Sequence, residues 1–134
     1  MQKLRCILLV DDDDITNFVH ESLIEEAAVA EKVLIAKNGQ EALDIIIHEA
    51  EESTDYPDLI FLDINMPVMN GFEFLDAYQR LDEKVKRSVV IVMLTTSLNE
   101  RDIERTQDTG VADFLNKPLT NDKLEAIIDK HFTR

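Results

Sequence analysis

The sequence predicts an α/β domain in which a five-stranded parallel sheet lies between two layers of helices. Four segments are strongly apolar and a fifth is less uniformly so: residues 6–10, 33–36, 59–62, 89–94 and 111–115. Each is followed by a segment with helical features, an alternation that indicates a parallel sheet with right-handed crossovers. The apolar residues are continuous rather than alternating, which indicates strands covered on both faces.

Length and composition favour one independently folding domain. The chain has 134 residues, of which 45% are hydrophobic, so it can bury a core without disulfides or a structural metal. The single cysteine, Cys6, lies in the first apolar segment and is expected to be a small buried hydrophobe. No apolar segment approaches the roughly 18 residues of a membrane span, and the N-terminus does not have the pattern of a signal peptide. We therefore expect a cytoplasmic protein without membrane contact.

The charge balance excludes one class of partner. The formal net charge is -14 at pH 7. Sequence-independent binding to nucleic acid depends on Lys and Arg side chains that displace counterions from phosphates, and an acidic chain opposes it. Direct binding of nucleic acid is not expected.

The first predicted helix has an apolar stripe. Ile15, Phe18, Val19 and Leu23 recur at helical spacing, so we expect this side to face the core, and Asp14 is the predicted N-cap. The helices predicted to begin near residues 38, 70 and 120 have comparable stripes. The fourth helix, between Asn99 and Gly110, has a single strongly apolar residue, so it should be the most loosely held.

Polar residues lie at the carboxyl ends of the predicted strands, where an active site of such a sheet would be. Ligands of an open parallel sheet bind outside the carboxyl ends of its strands, so residues at these ends converge. The residues at these positions are Asp11, Asp12, Asp63, Thr95, Thr96, Asn116 and Lys117. Asp13 and Asp14 are assigned to the following loop and to capping the first helix.

The types of these residues indicate phosphoryl chemistry. Two carboxylates about 4 Å apart repel by roughly 1 kcal/mol in water and about 4 kcal/mol at an effective dielectric constant of 20, so three together call for a cation. Oxygen ligands that leave room for water favour Mg²⁺. Asp63 can act as a nucleophile that forms an aspartyl-phosphate, while Lys117 and the Thr95 hydroxyl suit a phosphoryl oxygen.

At this point the sequence closely resembles the receiver domain of two-component response regulators. The segment LLVDD at residues 8–12 resembles the acidic pair of the family's first strand, and DINMPVMNG at residues 63–71 resembles its phosphoacceptor strand and loop. Thr95-Thr96 and Lys117-Pro118 follow in family order and spacing. The resemblance implies a flavodoxin-like fold with strand order 2-1-3-4-5. It implies that residues 1–134 are a single receiver domain without an output domain, similar to the single-domain chemotaxis regulators.

The resemblance also implies a metal site. Asp63 would be the phosphorylated residue, converted to 4-aspartylphosphate. Mg²⁺ would be bound directly by Asp12, by the Asp63 carboxylate and by the backbone carbonyl of Asn65, and by Asp11 through a water molecule. The Asn65 and Ser97 side chains would flank the path of hydrolytic water, and neither is a strong base.

Other residues are implied to sense the phosphoryl group. Lys117 and Thr95 would contact it, assisted by the backbone of Thr96. Thr95 and the aromatic side chain of Phe114 would move together and repack the face formed by the fourth helix, the fifth strand and the fifth helix. The resemblance implies this face as the contact for an unknown downstream protein, and leaves phosphorylation-linked dimerisation open.

The phosphoryl donor is expected to be a separate histidine kinase or histidine phosphotransferase. His20, His48 and His131 lie in predicted helices without metal-ligand spacing, and we expect them to be solvated or half-buried. The sequence does not separate a terminal effector from a phosphorelay intermediate, and no turnover of an external substrate is expected.

The sequence disfavours three alternatives to this switch. An aspartate-nucleophile phosphatase of the haloacid dehalogenase type needs a second Asp two residues after the first, where this chain has Asn65. A constitutive pseudo-receiver is disfavoured because Asp63, Thr95 and Lys117 are all present. No Gly-rich loop precedes a Lys-Ser or Lys-Thr pair, which excludes a P-loop nucleotide enzyme.

Overall fold

The computed structural model describes residues 3–52, 55–96, 99–107 and 109–132. One parallel sheet has the strand order β2-β1-β3-β4-β5, which confirms the predicted fold class and order. The strands are β1 Leu4–Val10, β2 Ala30–Ala36, β3 Leu59–Leu62, β4 Val90–Thr95 and β5 Val111–Asn116. The helices are α1 Asp14–Ala27, α2 Gly39–Glu52, α3 Gly71–Gln79, α4 Glu100–Arg105 and α5 Asn121–Phe132.

The sheet has a hydrophobic core on each face. Alternate residues of β1 point to opposite sides: Leu8 and Val10 belong to the cluster with α2 and α3, whereas Ile7 and Leu9 belong to the cluster with α1 and α5. All four side chains are at most 1% exposed. A strand buried on both sides has no polar face, which is why its sequence is continuously apolar.

The outer strand β2 begins three residues earlier than its apolar segment. Glu31 and Lys32 are exposed within the strand, and the Lys32 ammonium forms a salt bridge of 2.8 Å with Asp55. Backbone pairing with β1 holds these residues in the sheet, so no apolar side chain is required there. The length of an edge strand is consequently under-predicted by hydrophobicity.

The predicted core face of α1 was wrong at three of its four residues, and only Leu23 packs, partly buried, against the core cluster of α1 and α5. Ile15, Phe18 and Val19 are 74%, 67% and 50% exposed, whereas the buried residues of the helix are Asn17, His20 and Ile24. The two polar side chains have buried hydrogen-bond partners, described below, and these bonds lower the free-energy cost of facing inward. Hydrophobic spacing alone contains no information about such hydrogen bonds.

The predicted cap of α1 was wrong by one residue. Asp13 is the N-cap, and its carboxylate accepts a hydrogen bond of 3.2 Å from the Thr16 N–H. Asp14 is the first helical residue and instead forms an exposed salt bridge of 2.8 Å with Lys37. At α3 the predicted start near residue 70 is confirmed, and there Asn70 and Glu73 form a reciprocal capping box.

The exposure pattern of α1 leads to a stability prediction. Phe18→Ser should change the free energy of unfolding by no more than about 0.5 kcal/mol, because the side chain is largely in water. Ile24→Ala should lower it by about 2–5 kcal/mol, because Ile24 is fully buried between α1 and the sheet. Urea unfolding of both variants measures the contrast, and equal costs would contradict the observed orientation of α1.

The fourth helix has the least attachment to the core. α4 is six residues long, all of them described, and none of its side chains is buried. Its contact with α3 includes the Arg105 guanidinium, which lies 4.0 Å from the centre of the Phe72 ring. Among the described residues, no helix combines the length and apolar character needed to cross a membrane.

Candidate functional site

The predicted site lies at the carboxyl ends of β1, β3, β4 and β5. Asp63 directly follows β3 and is buried. Its N–H donates to the Val10 carbonyl at 2.9 Å, and its Oδ1 accepts from the Ile64 N–H at 2.9 Å. Both the backbone and one carboxylate oxygen of Asp63 are therefore held in place.

Lys117, which follows β5, contacts residues at the ends of three other strands. Its Nζ contacts Asp11 Oδ2 and lies 3.4 Å from Asp63 Oδ2, while its backbone N–H donates to the Thr95 carbonyl at 2.8 Å. Burial alone would lower the pKa of Lys117, but the hydrogen bond to Asp11 and the charge of Asp63 raise it. The ammonium is therefore charged and partly neutralises both carboxylates.

Three carboxylates form a cluster that suits a hard cation. Asp11, Asp12 and Asp63 each have an oxygen within 4.8 Å of the other two. Asp11 and Asp63 are buried, whereas Asp12 is exposed, so the cluster opens towards solvent. Burial raises the pKa of Asp63, and the neighbouring charge of Asp11 raises it further. Lys117 opposes this rise but does not cancel it. A divalent cation bound by the carboxylate oxygens would lower the free-energy cost of keeping them charged.

The loop after β3 packs directly beneath Asp63. The Gly71 N–H donates to the Ile64 carbonyl at 2.8 Å, and a Cβ on Gly71 would lie 2.5 Å from the Asp63 backbone oxygen. Backbone cannot yield as a flexible side chain can, so only glycine fits at this helix start. Asn65 lies in this loop with its side chain exposed.

The remaining predicted residues occupy three different environments. Thr95 ends β4 and is buried, whereas Thr96 is exposed. Phe114 pairs with Met93 in the sheet and is partly buried against the core cluster of α2 and α3. Ser97 lies outside the described residues.

Two buried polar residues of α1 lie next to this site, and neither was predicted to be there. The Asn17 side-chain amide donates to the Asp11 carbonyl at 2.8 Å, and His20 Nε2 accepts from the Leu119 N–H at 3.2 Å. His20 is 3% exposed, which corrects the expectation of a solvated or half-buried side chain. One signal was present in the sequence, since the two residues are three apart and share a helix face beside the strand-end cluster.

Comparisons with known proteins agree on one family. The model of the response regulator receiver domain matches residues 7–129. Two-component response regulator 24 of Arabidopsis thaliana is 35% identical over 123 residues, which cover 92% of this chain and 81% of that protein. Hybrid signal transduction histidine kinase B of Dictyostelium discoideum is 33% identical over 140 residues, which cover 97% of this chain but only 7% of that protein.

A solved structure supports the same assignment. The crystal structure of a two-component response regulator from Cytophaga hutchinsonii superposes with a TM-score of 0.85 at 30% identity, covering 96% of this chain and 97% of that one. The strand order, the strand-end carboxylates and the match over residues 7–129 are therefore consistent with one another. The chain belongs to the response regulator receiver domain family, the phosphorylatable switches of two-component signalling.

Proposed function

We propose that Asp63 is the phosphoacceptor of this receiver and that Lys117 neutralises the transferred group. The observation that carries the proposal is the geometry of one carboxylate. Asp63 Oδ1 is occupied by the Ile64 N–H, while Oδ2 lies 3.4 Å from the Lys117 ammonium in the acidic cluster. A fixed nucleophile beside a fixed positive charge is what phosphoryl transfer requires.

Within the acidic cluster, Asp11 already has hydrogen-bond and ionic partners, whereas Asp12 is open to solvent. Asp11 already accepts from the Asp13 N–H at 2.9 Å and contacts Lys117, whereas Asp12 is exposed. This favours direct binding of Mg²⁺ by Asp12, by Asp63 and by the Asn65 carbonyl, with Asp11 acting through water. When bound, the cation supplies charge neutralisation for the phosphoryl oxygens.

The transfer step needs no external base. A carboxylate oxygen of Asp63 forms the new P–O bond while the P–N bond to the donor's phosphohistidine breaks, and the imidazole keeps the electron pair and takes a proton from solvent. Burial raises the pKa of Asp63, so its carboxylate is a better nucleophile than a solvated one. Receivers interact with histidine kinases or phosphotransferases, and we propose one of these as donor.

We propose that the downstream protein binds to the face formed by α4, β5 and α5. The backbone bond from Lys117 to Thr95 couples the site to β4, and Phe114 lies in the adjacent strand β5. α4 has no buried side chain, so rearrangement of this helix costs little. Thr95 and Phe114 are the proposed switch residues, with the backbone of Thr96 as a further phosphoryl contact. The proposed readout is contact with a cytoplasmic protein rather than turnover of a substrate.

Incubation with phosphoramidate tests the proposed chemistry without a cognate kinase. In the presence of Mg²⁺ the intact protein should gain one phosphate that is labile to base, and chelation of Mg²⁺ with EDTA should suppress the gain. Equal labelling with Mg²⁺ and with EDTA would contradict the metal site. Absence of labelling under both conditions would favour a constitutive pseudo-receiver.

A second experiment distinguishes a phosphorelay intermediate from a terminal regulator. The phosphorylated protein is purified from the donor and mixed with histidine phosphotransferases, and the labelled phosphate is followed. Rapid onward transfer identifies a relay intermediate, whereas stable retention identifies a terminal regulator.

A further inference from the structure

The buried polar face of α1 has no role in the proposed chemistry, yet it contacts both sides of the site. His20 is 3% exposed, and its Nε2 accepts a hydrogen bond of 3.2 Å from the Leu119 N–H, 99 positions away in sequence. Leu119 follows Lys117 by two residues. His20 is therefore attached to the short segment that carries the site's ammonium group.

The segment around Lys117 is held at three further points. The Lys117 N–H donates to the Thr95 carbonyl at 2.8 Å, which fixes the side that faces β4. The Lys123 ammonium binds the carbonyl oxygens of Asn116 at 2.8 Å and Pro118 at 3.1 Å. These contacts hold the near end and the carbonyl groups. At the far end the Leu119 side chain is buried in the core cluster with α1 and α5, and its backbone N–H is held by the His20 ring of α1.

Asn17 binds the other side of the site from the same helix face. Its amide nitrogen donates to the Asp11 carbonyl at 2.8 Å. Its Oδ1 is buried without a hydrogen-bond partner among the described residues. Three positions separate Asn17 from His20, so one turn of α1 contacts the backbone beside both members of the Asp11–Lys117 pair.

His20 lines a small cavity together with the reacting groups. It has a volume of about 10 Å³, and its polar lining consists of Asp11, Asn17, His20 and Asp63. The His20 ring therefore borders the same space as the phosphoacceptor. Burial lowers the pKa of His20 and Asp11 opposes this, so the ring is neutral and Nε2 is available as an acceptor.

We propose that His20 is a positioning residue for the phosphoryl-transfer reaction: its bond to the Leu119 N–H holds Lys117 where the ammonium meets Asp11 and Asp63. The inference rests on the proposed function for its kinetic consequence. An ordinary core residue would fill the same volume, but it would not accept the Leu119 hydrogen bond. Variants of His20 can therefore separate the effect of its volume from the effect of the hydrogen-bond acceptor at Nε2.

Three variants separate these roles. His20→Leu fills the volume without an acceptor, His20→Gln places an amide oxygen near the position of Nε2, and His48→Leu removes an exposed histidine of α2 as a control. With phosphoramidate at saturating Mg²⁺, the maximal labelling rate of His20→Leu should fall on the order of 10-fold, and His20→Gln should recover most of it. The dissociation constant of Mg²⁺, measured by calorimetry, should change by less than about twofold, because Lys117 is not a metal ligand.

Several outcomes would overturn the proposal. A wild-type labelling rate in His20→Leu would do so, as would equal losses in His20→Leu and His20→Gln. If His20→Leu does not fold, His20→Asn takes its place, because its shorter amide does not reach the Nε2 position. In the wild type, an NMR scalar coupling between the Leu119 amide nitrogen and His20 Nε2 should be detected, and its absence would also overturn the proposal.

A failure of the proposed function has a different signature. If wild type and His48→Leu take up no phosphate, Asp63 is not a phosphoacceptor, and the role of His20 is then decided by the NMR signal of the Lys117 ammonium. That signal should be shifted in His20→Leu and restored in His20→Gln. An unchanged signal in His20→Leu would overturn the positioning role.

Discussion

Asp63→Asn should abolish the Mg²⁺-dependent incorporation of phosphate. Asparagine has nearly the same shape as aspartate, so its side-chain oxygen can still accept from the Ile64 N–H that holds Oδ1 in the wild type. It lacks the anionic oxygen that forms the bond to phosphorus, so labelling should fall to background while the protein stays folded. Intact-protein mass spectrometry after incubation with phosphoramidate measures the phosphate, and circular dichroism checks the fold.

A matched control is available in the first turn of α1. Asp14 is exposed and pairs with Lys37 at 2.8 Å, outside the carboxylate cluster. Asp14→Asn should keep the wild-type labelling rate within about twofold, since surface changes of this kind cost little. Labelling of Asp63→Asn at the wild-type rate would show that another residue accepts the phosphate.

Lys117→Met should produce the second large effect, on stability. The substitution removes the ammonium that contacts Asp11 and lies 3.4 Å from Asp63, and both carboxylates are buried. Removal of one partner from a buried ion pair costs about 3–5 kcal/mol, so urea unfolding at pH 7 without divalent cations should show a loss of about 3 kcal/mol. Labelling with phosphoramidate should also slow.

The loss in Lys117→Met should depend on Mg²⁺ and on pH. A cation that binds only the folded cluster stabilises it by mass action, so added Mg²⁺ should stabilise the variant more than the wild type. The raised pKa of Asp63 means that the folded state binds a proton more readily than the unfolded state. The Lys117 charge lowers this pKa, so the pKa of Asp63 is higher still in the variant, and the deficit should shrink as the pH falls through the variant's pKa and be largest above it.

An exposed ion pair is the control for Lys117. Lys130 forms a salt bridge of 2.9 Å with Asp113, and its side chain is 64% exposed. Lys130→Met should cost at most about 1 kcal/mol and should not respond to Mg²⁺. If Lys117→Met is as stable as Lys130→Met and equally indifferent to Mg²⁺, the ammonium does not balance the carboxylates.

The sequence predicted the central strands and the strand-end residues well because both depend on local patterns. Leu59–Leu62 is buried on both sides, so its residues are uniformly apolar, and Asp63 follows directly. In a parallel sheet the carboxyl ends meet at one edge, so Asp11, Asp63 and Lys117 converge once the strands are known. Edge strand β2 was predicted less completely, because backbone pairing alone holds its first residues.

The face of α1 could not be predicted from hydrophobic spacing. Ile15, Phe18 and Val19 have the periodicity of a core face, yet they are exposed, and Asn17 and His20 are buried instead. The partner of His20 is the Leu119 N–H, which lies in the β5–α5 connection. A buried polar side chain needs a hydrogen-bond partner, and a hydrophobic pattern within one helix carries no information about a partner in another segment.

Reductive trapping of the acyl phosphate tests the central claim most directly. Borohydride converts an aspartyl-phosphate to homoserine, so the protein is phosphorylated with phosphoramidate and Mg²⁺, reduced, digested and sequenced by mass spectrometry. Homoserine should appear at position 63, and only in the sample that contained Mg²⁺. Homoserine at Asp11 or Asp12 with none at position 63 would contradict the assignment of Asp63 as the phosphoacceptor.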